Sequence, residues 1–425
     1  MPGAATPTIL FTAFEPSGDE HGALAIRALR RRAPEVRVLA WGGERMRNAG
    51  ATVLRNTCDN AVMGLPGLAT IREHLQLRRE FKRWARTQSI DVHVAVDSPA
   101  ANNPLCKVTK RRGARVAHLV APQLWAWAPW RVRRLRRLTD HLLCLLPFEP
   151  AWFGARGVEA TFVGHPIFDE PLDADALDAT IKAANLPAGD HKVALMPGSR
   201  PSELRANFPA MLEAFAALRR NDPGVVGVVA ATTDTVARQL REMADNADGW
   251  PDGLGVIAGD APAAIRWCDI ALAVSGTVTL HIARQTKPMV IIYAMPRLTG
   301  WIARKFIVKT PYVALPNVIA GREIVRELFP FSGKADRLTS VAGALLRNAD
   351  AQTAQRDALA QINAGYKDTH AGDNAADVIL ALARIDNNQT RPRRAVHQAS
   401  IEQSITPKVG PEGLEPSREL PLSGF

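Results

Sequence analysis

The chain has 425 residues, with 53 Lys and Arg against 42 Asp and Glu for a formal charge of +11, and 47% of it is hydrophobic and 22% charged. That length suits two or three domains, and the composition is that of an ordinary globular protein; wholesale disorder, a collagen-like repeat and a disulfide-rich mini-fold are excluded. Four widely spaced cysteines, Cys58, Cys106, Cys144 and Cys268, form no CxxC pair, which argues against a zinc ribbon or disulfide framework and suits a reducing compartment.

Short apolar runs alternate with helical patterns, the signature of βαβ units and parallel sheets. In the first part, strands are predicted at Thr8–Ala13, Val36–Trp41, Asp91–Val96, Ala114–Val120, His141–Leu146 and Thr161–Val163, with helices such as Glu20–Arg32 and Ile71–Arg86 between them. The acidic, polar segment Asp169–Asp190 holds the expected domain boundary. The alternation then restarts, with strands at Lys192–Met196, Val225–Ala230, Leu254–Ile257, Ile270–Val274 and Met289–Tyr293. Helices are expected at Ser202–Arg219, Thr235–Asn246, Pro262–Trp267 and Val278–Gln285, and Ala351–Ile385 could cross back to the first domain. The fold class is therefore α/β, with two Rossmann-like domains facing a central cleft. Domains are expected at 1–170, 171–348 and 349–386, followed by a disordered tail over 387–425 with isolated apolar residues and several prolines.

The N-terminus lacks a basic region followed by a long apolar core, so no secretory signal is expected. No apolar stretch approaches the roughly 20 residues of a spanning helix. Charge is uneven: residues 1–170 carry 25 Lys and Arg against 15 Asp and Glu, whereas the remaining 255 residues carry 28 against 27. A basic N-terminal half implies an anionic partner, namely nucleic acid, anionic lipid or a phosphorylated substrate.

Several loops carry groups suited to chemistry. The first strand runs into Glu15-Pro16-Ser17-Gly18-Asp19-Glu20-His21-Gly22, where small residues let backbone amides approach an anion or a sugar; without GxGxxG there is no dinucleotide fingerprint, and Asp19 suits a helix cap equally well. The third predicted strand ends at Asp97-Ser98-Pro99. A carboxylate there points into a cleft, where it either takes a proton from an attacking hydroxyl or caps the next helix. Gly198-Ser199-Arg200 and Ser275-Gly276-Thr277 each follow a strand and open a helix, either a pair of turns suited to a diphosphate or two ordinary βα turns. Asn317, Arg322 and Glu323 offer polar groups in a later loop. No metal is expected, since HExxH, a paired Cys/His cluster and a DxD-like pair are all missing, and His165 reads as a satisfied loop histidine. Residues 125–137 hold three tryptophans and five arginines, and Trp84 lies in a second basic helix. Trp84, Trp130, Arg131, Arg133 and Arg134 suit an anionic membrane surface better than nucleic acid, for which no known module is visible.

Taken together, the strings EPSGDEHGA, AVDSP, APQLWAW, LPFEP, FVGHP, LMPGSRPSEL, SGTVTL and YVALPNVIAGRE, spread over roughly residues 8–385, resemble the bacterial lipid-A-disaccharide synthases. The resemblance implies a GT-B-type inverting glycosyltransferase that needs no cofactor. It moves 2,3-diacylglucosamine from UDP-2,3-diacylglucosamine to 2,3-diacylglucosamine 1-phosphate. The products are the β-1,6 lipid A disaccharide 1-phosphate and UDP, made peripherally on the cytoplasmic face of the inner membrane in lipopolysaccharide biosynthesis. It assigns Asp97 as the base for the acceptor 6-hydroxyl. Gly198, Ser199, Arg200, Ser275, Gly276, Thr277, His281, Asn317, Arg322 and Glu323 would hold the UDP-sugar, and Glu15, Ser17 and Gly18 would form the acceptor-side loop. The chain departs from the family pattern at Ala100, where a second aspartate is usual, and at His281 and Gly67, where glutamates are usual. A paralogue using another UDP-sugar, or a catalytically silent lipid-binding scaffold, are the alternative readings.

Overall fold

The computed structural model describes residues 6–58, 68–169, 171–247, 249–294 and 310–383, all within one compact unit. Gly67 and the segment 387–425 lie outside the described residues.

Two parallel sheets form the frame. The first contains β1 (Thr8–Thr12), β2 (Arg37–Gly42), β3 (Thr52–Asn56), β4 (Val92–Val96), β5 (Arg115–Leu119), β6 (His141–Cys144) and β7 (Ala160–Phe162), in the order β3-β2-β1-β4-β5-β6-β7. The second contains β8 (His191–Met196), β9 (Val225–Ala231), β10 (Leu254–Ala258), β11 (Ile270–Val274), β12 (Met289–Ala294) and β13 (Arg326–Phe331), in the order β10-β9-β8-β11-β12-β13. Central strands such as β1, β4, β9 and β11 are buried along their whole length, as strands covered by helices on both faces must be.

The predicted strands are present to within a residue or two, and two more appear. Both are edge strands whose sequences hide them. β3 has no buried residue, and β13 contains Pro330, which an edge strand tolerates because one side of its ladder is unpaired. Helices Pro16–Arg32 and Pro201–Asn221 begin earlier than predicted. Each opens on a proline, whose missing N–H is no loss in the first turn.

Helix packing divides each sheet into two faces. Ile9 and Phe11 of β1 pack with Ile26 and Leu29 of helix Pro16–Arg32, whereas Leu10 packs on the other face with Phe81 and Leu105. The last described helix, Ala371–Leu382, returns to the first half and buries Ala375, Ala376, Ile379 and Leu380 in the same core as Ile9 and Phe11. The crossing is close: a Cβ on Gly372 would lie 3.0 Å from the Leu24 carbonyl oxygen. Arg31 and Arg32 form ion pairs with Asp373 and Asp377 at its rim. Such exposed pairs contribute little, so apolar burial holds this contact.

Between the halves, Tyr366 stacks on Phe168 with centroids 4.1 Å apart and donates its hydroxyl to the Leu145 carbonyl at 3.2 Å. Trp125 donates Nε1 to the buried Glu149 carboxylate at 3.1 Å and belongs to the same cluster as Met196 and Ala271 of the second sheet. Truncating Ile379 to Ala should leave a cavity under the returning helix and lower unfolding stability by about 3 kcal/mol, measured by urea denaturation.

Candidate active site

In both sheets the strand order reverses next to the first-laid strand, between β1 and β4 and between β8 and β11. Loops leaving neighbouring strands at such a point diverge to opposite faces and open a crevice at the carboxyl ends. The four segments there are Glu15 and the first helical turn to Gly18 after β1, Asp97–Ser98 after β4, Gly198–Arg200 after β8 and Ser275–Thr277 after β11.

In the first crevice, Asp97 and Ser98 are consecutive left-handed residues, with φ of 49° and 37°. Ser98 Oγ donates to Glu15 Oε1 at 2.6 Å, which joins the β1 and β4 loops. Asp97 is half-buried. Burial raises its carboxyl above the ordinary value, the Ser98 amide pulls it back, nearby Glu15 raises it again and His21 lowers it. Gly18 fits against the sheet because a Cβ there would already sit 3.2 Å from Ala13 Cβ and 3.5 Å from the Val96 carbonyl oxygen. Ser17 is exposed in the first turn. Asp19 is a cap, though not of its own helix: it accepts from the amides of Gly43, Arg45 and Met46 at 2.8, 2.9 and 3.1 Å, fixing helix Glu44–Asn48.

In the second crevice, Gly198 has φ of 112°, which turns the next two amides toward one point. Ser199 N and Arg200 N both reach Glu203 Oε2, at 3.0 and 3.2 Å, and Arg200 Nη1 donates to Oε1 at 2.8 Å. Burial alone would raise Glu203, but these two amides and the guanidinium outweigh it and hold the carboxyl low. The turn therefore gathers an oxyanion, here the protein's own. Glu203 went unnoticed in the sequence, although an acidic residue three positions after a helix cap is the usual capping-box signal.

The other expected ligand groups are disposed unequally. Gly276 and Thr277 are exposed, and nothing lies within 4 Å of a Cβ placed on Gly276, so its backbone is open to approach. Ser275 instead donates its hydroxyl to the Val313 carbonyl at 3.0 Å. Asn317 departs most from expectation: it is fully buried, its Nδ2 donates to the Val325 carbonyl and Glu327 Oε1, and its Oδ1 accepts from the amides of Ile324 and Val325. It ties its own loop together, because a buried amide must satisfy all its bonds locally. Arg322 is exposed, and Glu323 pairs with Arg326 at 3.1 Å.

His281 faces the joint between the halves. Burial and nearby Arg284 lower its pKa, while Glu20 raises it. His21, to which the sequence assigned no role, lies against His165, with ring centroids 6.1 Å apart and edge-to-face. The signal available for His21 was its position four residues after Ser17, on the same helix face. His165 is indeed satisfied locally, Nδ1 accepting from the Ile167 amide at 3.2 Å, yet it also lies close enough to His21 and His281 for them to depress its pKa.

Away from the cleft, Trp130 is 63% exposed and Trp127 40%, with the Arg131 guanidinium 4.7 Å above the Trp127 ring; Arg133 and Arg134 are exposed beside them. Trp84 differs from the membrane-facing position expected of it. Its ring packs on Trp41 and Phe81 at 5.9 and 5.6 Å, part of the apolar cluster beneath its helix. Among the described residues no helix is long and apolar enough to cross a membrane.

A family model described as lipid-A-disaccharide synthetase matches residues 9–377. A lipid-A-disaccharide synthase from Burkholderia mallei (strain SAVP1) is 37% identical over 365 residues, 85% of this chain and 91% of the relative. Another from Trichlorobacter lovleyi is 32% identical over 382 residues, 88% and 97% of the two chains. Among solved structures, the S. aureus MnaA–UDP co-structure has a TM-score of 0.60 at 12% identity, covering 88% of this chain and 96% of that one. The calicheamicin glycosyltransferase CalG4 has a TM-score of 0.57 at 13% identity, covering 90% and 100%. At such low identity these structures establish the fold, two facing α/β halves of GT-B type.

Burial sets an acid limit on this architecture. It lowers His93 to about 3, His118 to about 4 and His165 to about 3. Unfolding returns each to about 6.5, so the stability tied to their neutral forms is complete above that pH and drains as pH falls below it. Glu149, raised by burial to about 7, works in the opposite sense across the same window. The three histidines outweigh it, and unfolding stability should fall by about 2 kcal/mol between pH 6.5 and 5.5, measured by urea denaturation at both values.

Proposed function

The chain belongs to the lipid-A-disaccharide synthetase family, and from that membership we propose that its cleft transfers 2,3-diacylglucosamine from UDP-2,3-diacylglucosamine to 2,3-diacylglucosamine 1-phosphate. It is a glycosyltransferase of lipid A biosynthesis. The assignment of roles is supported most directly by two kinds of group at the carboxyl ends of the two sheets: a half-buried carboxyl with raised pKa at Asp97, and an oxyanion-gathering turn at Gly198–Arg200.

Asp97 takes the proton of the acceptor 6-hydroxyl as that oxygen attacks the donor's C1 from the face opposite UDP. The C1–O bond to the diphosphate breaks as the new β-1,6 bond forms, so the anomeric centre inverts. Negative charge grows on the departing diphosphate, where the Ser199 and Arg200 amides, the guanidinium and the start of helix Pro201–Asn221 stabilise it. Glu203 marks the place of one diphosphate oxygen and leaves when the donor enters. The exposed Gly276–Thr277 turn supplies a second approach for phosphate, and Arg322 and Glu323 flank the donor loop. Glu15 and Ser17 line the acceptor side. Both substrates carry acyl chains. The exposed Trp127, Trp130, Arg131, Arg133 and Arg134 hold the protein peripherally on an anionic surface, the cytoplasmic face of the inner membrane, with the indoles in the headgroup zone.

Asp97→Asn should lower kcat by about 10²–10⁴-fold while the protein still binds UDP, followed by mass spectrometry of disaccharide phosphate and UDP. In the parent enzyme, kcat/KM should fall on the acid side through a limb above the usual aspartate range, because burial raises Asp97 and its ionised form is the base. Full turnover by folded Asp97→Asn protein would overturn the assignment. Replacing Trp130 by Ala together with Arg133 and Arg134 by Glu should weaken sedimentation with phosphatidylglycerol vesicles at least about tenfold, most visibly at low salt.

A further inference from the structure

Two consecutive left-handed residues other than glycine are an uncommon arrangement, and they persist only where the surroundings determine them. The Asp97–Ser98 corner is determined from below. Asp97 N donates to the Leu119 carbonyl at 2.9 Å, and the Ser98 carbonyl accepts from Ala101 N and Asn102 N at 3.0 and 3.1 Å. The Asn102 side chain then spans the corner, with Nδ2 donating to the Val96 carbonyl at 3.0 Å and to the Asp97 carbonyl at 2.8 Å. Both carbonyls are thereby turned inward, which leaves the Asp97 side chain on the cleft side.

A side-chain amide can hold two carbonyls only if its NH₂ faces them, and that orientation is enforced. Asn102 Oδ1 accepts the hydroxyl proton of Thr12 at 2.6 Å. With its proton spent, Thr12 Oγ1 must accept from His93 Nε2, 2.8 Å away. His93 is fully buried and neutral, so Nδ1 carries no proton and accepts from Thr109 Oγ1 at 2.8 Å. The two carbonyls held by Asn102 set the direction of this chain: with Nδ2 committed to them, Thr12 donates to Oδ1 and His93 donates to Thr12, while Thr109 Oγ1, which also lies 3.2 Å from the Cys106 carbonyl, closes the far end; reversing the Thr12 link would set two acceptors against each other in a fully buried space. The seam joins β1, β4 and helix Pro99–Lys110, the three elements that meet beneath the first crevice. Thr12, Asn102 and Thr109 are each at most 1% exposed.

We propose that Asn102, oriented by the Thr12–His93–Thr109 chain, is the positioning residue that fixes the Asp97 corner in its productive conformation. The proposal rests on Asp97 acting as the base, and it concerns a residue that touches neither substrate. Asn102→Asp keeps the shape but sets carboxylate oxygens against the two carbonyls. It should lower kcat by about 10²-fold, the effect of displacing a reacting group by about 1 Å, with both KM values and UDP affinity within about threefold of the parent. Thr12→Val is isosteric and removes the proton that orients the amide; it should lower kcat about tenfold, and Thr12→Ser, which restores the hydroxyl, should recover it. If Asn102→Asp does not fold, the Val and Ser pair at Thr12 decides alone. Parent-like kcat in folded Asn102→Asp or Thr12→Val overturns the proposal, as does a loss of kcat that Thr12→Ser fails to recover, or one matched by equal losses in UDP affinity. Asp97→Asn run alongside separates the two claims: full activity there removes the base assignment, whereas its inactivity beside parent-like seam variants removes the positioning role only.

Discussion

The cleft chemistry depends on the reversal of strand order in two parallel sheets. A chain that lays β1 and builds outward on one side, then returns to build on the other, places the helices after β1 and β4 on opposite faces. The packing follows this rule. Helix Pro16–Arg32 lies over Ile9, Phe11, Val94 and Val96, whereas Leu105 of helix Pro99–Lys110 lies over Leu10 and Leu39, and its Cys106 over Ala95 and Val116. Diverging loops of this kind open a crevice suited to a ligand, with the backbone amides of helix starts at its edge. The second sheet repeats the device between β8 and β11. Glu20 and His21 from the first half and His281 from the second lie close enough to influence one another's environment, so the two crevices open toward a shared space.

Holding two such crevices in register is a packing problem, solved by residues remote in sequence. Tyr366 reaches Leu145 and stacks on Phe168, and helix Ala371–Leu382 completes the core of the first sheet after the chain has built the whole of the second. Glu149 lies inside this joint, accepting from Trp125 Nε1 and the Leu146 amide. Burial raises its pKa to about 7, so below that pH the joint is spared an uncompensated charge. Charge is treated differently at the cleft. There Asp97 and Glu203 retain partial exposure, so their ionised forms remain accessible to chemistry.

Much of this was legible in the sequence, for a definite reason. Buried parallel strands read as continuous apolar runs, and the residues that follow them, Asp97 and Gly198–Arg200, stand out as polar breaks at strand ends. Edge strands do not announce themselves: β3 buries none of its residues and β13 carries Pro330. Roles that depend on where a side chain turns were harder still. Asn317 lies in a family string, yet its four hydrogen bonds close its own loop. Trp84 lies in a basic helix, yet its ring turns toward Trp41 and Phe81. Thr12, His93, Asn102 and Thr109 are scattered over almost a hundred residues and meet only when β1, β4 and the helix after β4 assemble, so no local pattern could reveal the seam.

The segment Trp125–Arg137 shows how one stretch serves two environments. Trp125 turns inward, its indole N–H held by Glu149 and its ring edge-on to Phe148 at 5.1 Å, while Trp127, beneath Arg131, and Trp130 turn outward. Because the inward residue belongs to the joint between the halves, the outward indoles are fixed relative to the cleft rather than carried on a loose loop. Under the function proposed above, that rigidity suits substrates anchored by their acyl chains, whose sugars would rise to a cleft at a set height while the chains stay in the lipid. A flexible anchor would keep the protein near the surface, but only a rigid one would align both sugars with the proposed base Asp97 and the proposed diphosphate turn Gly198–Arg200 at the same time.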